Sequence, residues 1–231
     1  MDIDTAWSDF CDGTYDVTQK DIDNVIPDVA PKCSELYIST KTKISYLSQP
    51  IDINTVFWKI SVQDYHIPQE GVIKKQMKLN SHNENDFDKL QEKIISEKNR
   101  HNYVDEHIIQ RIVNADGRIK YKDVRKISVG LSKKDIISYR CKKKGAFYNC
   151  FVLIIRIKFN GTFKEIHVKI FNTGKLEIPG IQNDDLLIQT LDILVETIKK
   201  YVSDDLTYDK KKTETVLINS NFKCGYFIDR E

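Results

Sequence analysis

Five histidines (His66, His82, His101, His107, His167) and five cysteines (Cys11, Cys33, Cys141, Cys150, Cys224) are the residues that could bind a metal or act as nucleophiles. They are scattered. No two cysteines stand in C-x-x-C spacing, and no histidine joins a cysteine at the spacing a zinc site needs. Glu165 and His167 share one strand face, but two titratable neighbours without a pocket do not make a catalytic site. The chain also lacks a P-loop, a G-x-G-x-x-G turn and a nucleophile elbow. The sequence therefore predicts no enzyme, no metal and no cofactor.

What remains is electrostatic chemistry. The formal net charge of +2 implies no partner, but the charge is unevenly placed. Residues 1–35 hold nine acids against Lys20 and Lys32, whereas residues 118–144 hold eleven Lys/Arg against Asp123 and Asp135. Such asymmetry predicts an acidic arm and a polyanion-facing segment, with "RCKKKGAFYN" (140–149) its densest part. The competing reading is two solvated surfaces. An odd cysteine count fits a reducing compartment. The acidic N-terminus lacks a signal-peptide pattern, and the longest apolar run, Cys150–Ile155, is far too short for a membrane span. The chain is therefore expected to be intracellular and off the membrane.

The elements that would position these groups can be read from the same residues. Residues 1–33 read as an acidic, irregular arm. "ELYISTKTKISYL" (35–47) reads as a strand, and "DINTVFWKISV" as a short amphipathic helix capped by Asp52. "GVIKKQMKL" (71–79) is a further strand. "DFDKLQEKIISEKNR" and "VDEHIIQRIVNA" both read as charged helices, followed by basic turns and short strands. Residues 149–180 carry the strongest β signal: two long strands around Asn160-Gly161, then a short one after Asn172-Thr173-Gly174. A long helix (183–202) follows, with Asn183 or Asp184 as cap and Leu187, Leu191, Leu194 and Ile198 as its stripe. A last strand begins at residue 213. "VLINSNFKC" is similar to "LYISTKTKI", as if a second copy were starting.

"IDINTVFWKISVQDYHIP" (51–68), "CFVLIIRIK" (150–158) and "KIFNTGKLEIPG" (169–180), followed by a long amphipathic helix, resemble the first repeat of the TATA-box-binding protein family. The divergent versions of large nucleocytoplasmic DNA viruses are the nearest pattern. The resemblance covers about residues 35–70 and 146–228. It implies an α+β fold: a TATA-binding-protein-like half saddle, with a curved antiparallel sheet, helices on its convex face, and an inserted α/β segment. The implied domains are the arm at 1–33, a first repeat at 34–203 with its insertion at 80–145, and a linker plus the first strand of an incomplete second repeat at 204–231.

The implied function is that of a transcription-initiation factor that contacts and bends the minor groove of promoter DNA. By resemblance Phe151 and Phe171 are the pair wedged between base pairs, Lys175 lies near the phosphates and Ile38 lies on the groove floor. An apolar wedge unstacks a base step at a cost of a few kcal/mol, and the bent duplex then meets more protein. Leu153 and Lys169 share the phenylalanine face, and Arg140, Lys142, Lys143 and Lys144 make a second DNA contact. Leu36, Glu177 and Pro179 depart from the family's pattern, so no TATA preference is expected. The implied partners are double-stranded DNA and general transcription factors or RNA polymerase, with the missing second repeat supplied by the remainder of the protein or another chain. The implied location is a viral factory in the host cytoplasm or the virion for a viral protein, and the nucleus otherwise. The alternative is a non-bending recognition or protein-interaction module on the same scaffold, without sequence-specific DNA binding.

The wedge depends on the register at Asn160-Gly161. A two-residue turn sets Phe159 against Thr162 and Phe151 against Ile170, which sends Phe171 to the other face. A three-residue turn, with Gly161 left-handed beside a bulge, sets Phe151 against Phe171. It also gathers Ile166, Val168 and Ile170 beside Val152 and Ile154 under the helices. The expected turn is the three-residue one, with both phenylalanines on the helix-free face.

Overall fold

The computed structural model describes residues 32–137 and 147–225. Residues 38–219 form one unit; a second comprises 1–37 and 220–231, of which 32–37 and 220–225 are described. Within that second unit the Lys223 amide donates to Ser34 Oγ at 2.8 Å, and the Ser34 amide to the Lys223 carbonyl at 2.9 Å.

The strands are β1 (Tyr37–Tyr46), β2 (Gly71–Ser81), β3 (Val104–Val113), β4 (Tyr121–Gly130), β5 (Cys150–Phe159), β6 (Thr162–Phe171), β7 (Lys175–Ile181) and β8 (Glu214–Asn221). The helices are α1 (Ile53–Lys59), α2 (Glu84–Asn99), α3 (Lys133–Ile137) and α4 (Asp184–Val202), with a 3-10 turn at Lys210–Lys212. All eight strands join one open antiparallel sheet in the order β3-β4-β2-β5-β6-β7-β1-β8. The α+β class expected from the sequence is therefore observed.

Helices α1, α2 and α4 each begin where a side chain can satisfy the free amides of the first turn. Asp52 accepts from the Asn54 and Thr55 amides, Asn83 from Asp86, and Asn183 from Leu186. Of the two caps expected for the long helix, Asn183 is the one used. Leu187, Leu191, Leu194 and Ile198 are buried as expected, joined by Leu186, Thr190 and Val195. This stripe and the α1 residues Ile53, Val56 and Phe57 bury into one core with Phe151, Leu153, Ile155 and Ile157 of β5 and Ile166, Val168 and Ile170 of β6. Each such aliphatic side chain withdrawn from water contributes roughly 1.5–3 kcal/mol. Helix α2 packs Leu90 and Ile94 on Ile127 and Val129 of β4, and Trp58 and Val62 touch both clusters. Thus α1, α2 and α4 all cover one face of the sheet.

One expectation is corrected. "VDEHIIQRIVNA" is not a helix but β3, paired antiparallel with β4 from Val104↔Val129 to Val113↔Tyr121. Its β-branched residues suit a strand, and β4 offers an edge that an isolated charged helix could not use. The segment 80–145, read from the sequence as an inserted α/β segment, holds α2, β3 and β4. Its β4 pairs along β2, which pairs in turn with β5, so the segment extends the same sheet by two strands.

At this junction Gly130 (φ +86°) lies so near β2 that a Cβ there would sit 2.2 Å from the Ile73 carbonyl oxygen. Close by, Lys75 of β2 is fully buried. Its ammonium donates to the Ile60 carbonyl at 2.7 Å and to Glu97 Oε1 at 2.8 Å, and Asn102 satisfies Glu97 Oε2 at 2.7 Å. One ion pair thus fastens α2, β2 and the end of α1 together.

Candidate nucleic-acid interface

The β5–β6 hairpin fixes which side chains face away from the helices. Asn160 (φ 49°) and Gly161 (φ 77°) both take positive φ, which makes a two-residue type I′ turn. Its twist matches that of the strands, and Asn-Gly tolerates it. Phe159 therefore faces Thr162, Phe151 faces Ile170, and Phe171 faces Cys150. The expected three-residue turn is wrong. Polarity misled there because β5 is apolar on both faces, whereas β6 was read correctly. Ile166, Val168 and Ile170 do go under the helices, and Glu165, His167 and Lys169 do not.

Phe151 and Leu153 consequently leave the expected DNA-facing set. Both have no exposed surface, and Phe151 meets Phe57 of α1 edge to face at 6.1 Å between centroids. They are core residues. Phe171 is half-buried on the opposite, helix-free face, so the two phenylalanines cannot act as a pair. Lys175 also lies half-buried, 6.0 Å from the Phe171 ring centroid. Lys169 is on the same face but ion-paired with Glu177. Ile38 is exposed in the outer half of β1. Arg140, Lys142, Lys143 and Lys144 lie outside the described residues.

The registers place Ile44 and Tyr46 of β1, Glu177 and Pro179 of β7, Cys150, Val152 and Ile154 of β5, and Lys74, Gln76 and Lys78 of β2 on this face. Lys126 and Ser128 of β4 continue it. Cys150, Ile154, Lys74 and Ser128 are buried there, while Val152, Lys78 and Lys126 keep partial exposure. Burial, and next the neighbouring Lys74, hold the Lys126 ammonium below the usual lysine range, against the pull of Asp105 and Asp135. Lys74 is itself ion-paired with Asp135 at 2.7 Å.

Short α3 sits at one border of the face. Lys74 reaches Asp135 Oδ1 at 2.7 Å, and Glu165 accepts the Lys133 amide at 3.0 Å. Desolvation pushes the Asp135 carboxyl up, but hydrogen bonds from Lys74 and Ser132 outweigh it and hold the group below the usual range. At another border Phe147 and Tyr148 are largely exposed. Lys169 lies 5.2 Å from the Phe147 ring, and Lys78 lies 3.4 Å above that of Tyr148. Lys126 lies in the expected polyanion-facing run 118–144 and both aromatics in the stretch 140–149, but neither they nor Lys78 were singled out from the sequence. The signal was present in Asn160-Gly161: the two-residue register alone sends positions 150, 152 and 154 to the helix-free face and draws the preceding aromatics to its border.

No helix among the described residues is long and apolar enough to cross a membrane. No protein-family model matches the chain, and neither does any curated protein or solved structure.

Proposed function

We propose that this chain is a non-bending recognition module for double-stranded DNA, built on a scaffold similar to that of the TATA-box-binding protein family and docking through its helix-free face. The observation that carries this reading is the segregation of the sheet: α1, α2 and α4 occupy one face, while the other carries the part-exposed Ile44, Tyr46, Val152 and Phe171 beside Lys78 and Lys126. Apolar surface suits a groove floor read by width, and lysines on one side suit a phosphate rail. Loss of the Phe151–Phe171 pair removes the double wedge, so the duplex is held without a sharp kink. A role in promoter recognition rests on the resemblance alone. A protein partner is the second reading, favoured by the Lys169–Glu177 pair, which neutralises a cation at the centre of the face.

The test is a salt titration of duplex binding by fluorescence anisotropy. If three or four lysines meet phosphates, the slope of log K against log salt should be about −2.7 to −3.6. The Lys78→Glu/Lys126→Glu variant should lose binding, and end-labelled duplex should show no change in transfer efficiency on binding. Salt-independent binding, or binding indifferent to both substitutions, would favour the protein partner.

A further inference from the structure

The two outer strands of the sheet are guarded very differently. Edge strand β3 carries Asp105, Glu106, His107 and Arg111, and a bulge between Ile108 and Gln110 interrupts its ladder. Charges and bulges are the devices that stop an open edge from recruiting another strand. At the other edge β8 carries a charge only at its first residue, Glu214. From Thr215 to Asn221 it contains no charge and no proline, and Val216, Leu217 and Ile218 are 50%, 54% and 52% exposed. Three successive apolar residues expose apolar surface on both faces of one strand.

We infer that β8 is a self-association edge, and that a second copy of this chain pairs with it antiparallel about a two-fold axis. The strand's own sequence selects the occupant. Opposed residues in a ladder point to the same face, and a two-fold axis normal to the sheet preserves faces. Only registers centred on a residue therefore satisfy both conditions. Centred on Val216, Thr215 would oppose Leu217 and Glu214 would oppose Ile218. Centred on Ile218, Leu217 would oppose Asn219 and Val216 would oppose Ser220. Centred on Leu217, Leu217 meets its own copy, Val216 meets Ile218 and Thr215 meets Asn219. Of these three registers, this is the one that matches every apolar residue with another and sets no like charges opposite within the strand. The pairing continues one sheet through both copies. Because the contact is a single strand wide, the dimer is concentration-dependent rather than permanent.

The experiment is sedimentation equilibrium of the full chain across about 1–200 μM, a range set by what a small interface can hold. The wild type should pass from monomer to dimer. Leu217→Lys should remain monomeric with an unchanged circular dichroism spectrum, because this side chain is exposed in the monomer. Cysteine pairing then fixes the register, in a background with Cys150 changed to Ala and the other native cysteines to Ser. Leu217→Cys alone should crosslink on mild oxidation, and Thr215→Cys should crosslink with Asn219→Cys but not with itself. A wild type that stays monomeric throughout, or a dimer that Leu217→Lys leaves intact, overturns the proposal. If the cysteine background does not fold, the wild-type and Leu217→Lys comparison still decides it.

Discussion

Phe151 and Phe171 differ in what removing each should do. Phe151 has no exposed surface and lies under α1, so Phe151→Ala should cost about 3–5 kcal/mol in denaturant unfolding. Phe171 is half-buried on the helix-free face, and Phe171→Ala should cost roughly 1 kcal/mol or less while weakening any ligand bound there. Equal losses of stability would contradict the register. His167 gives a second prediction. Its ring keeps solvent access, but surrounding protein, and next the Lys134 charge, hold it below the ordinary value of 6.5, with Glu165 and Asp135 opposing. Between the folded value and 6.5 the unfolded chain holds a proton that the folded chain does not. Stability should therefore fall as the pH drops through this window, and stop falling once both states are protonated. Urea midpoints at pH about 7.5 and 5.5 should differ less in His167→Gln than in the wild type, since the substitution removes the titration. An unchanged difference would assign the pH dependence to other groups.

At the scale of the element, the buried Lys75–Glu97 pair joins three elements that are otherwise held by apolar contact. Desolvation lowers the Lys75 pKa, and the bond to Glu97 opposes that shift. Glu97→Ala leaves a buried ammonium facing only the Ile60 carbonyl, and should cost about 3–5 kcal/mol. Lys75→Met combined with Glu97→Leu should recover most of that loss, because it removes both buried charges together. Thermal melts of the two variants compare them directly, and a double variant no more stable than the single one would show that the pair is worth more than its desolvation. Elements with local signals were legible in the sequence: the Asp52 and Asn183 caps, the α4 stripe, and the hairpin around Asn160-Gly161. Elements decided by a distant partner were not. β3 has enough charge to pass for a helix until β4 is beside it. β5 is apolar on both faces, so its orientation followed from the turn's dihedral angles, which a count of polar residues does not contain.

At the scale of the whole molecule, the sheet order separates sequence neighbours at one end and unites the chain's extremes at the other. Strands β3 and β4, and β5, β6 and β7, pair with their sequence neighbours, but β2 pairs with β4 and β5, β1 pairs with β7, and Asn219 reaches Thr40 across a separation of 179 residues. Residues 80–145 supply two of the eight strands of this sheet. Long-range pairings of this kind slow folding, because loop closure must precede the contacts that reward it. Refolding should accordingly show β1 amides gaining exchange protection after those of β5 and β6, as pulse-labelled hydrogen exchange would measure. Simultaneous protection would rule out this order.

The position of β1 also matters during synthesis. Among the described strands it leaves the ribosome first, but its neighbour β7 ends at Ile181, so β1 must wait for that partner until the residues through Ile181 are made. Its composition allows for that wait. Lys41 and Lys43 interrupt an otherwise β-prone run, as charges do where a strand must not recruit strangers. In the finished protein Lys43 is 9% exposed, and its ammonium is bound to Asp184 at 2.8 Å, in the first turn of α4. The charge that protects the nascent strand is thus neutralised only by a helix that forms after β7. Replacing Lys43 with Val would remove this safeguard at the earliest stage, leaving β1 free to pair with other nascent chains before its own partners exist.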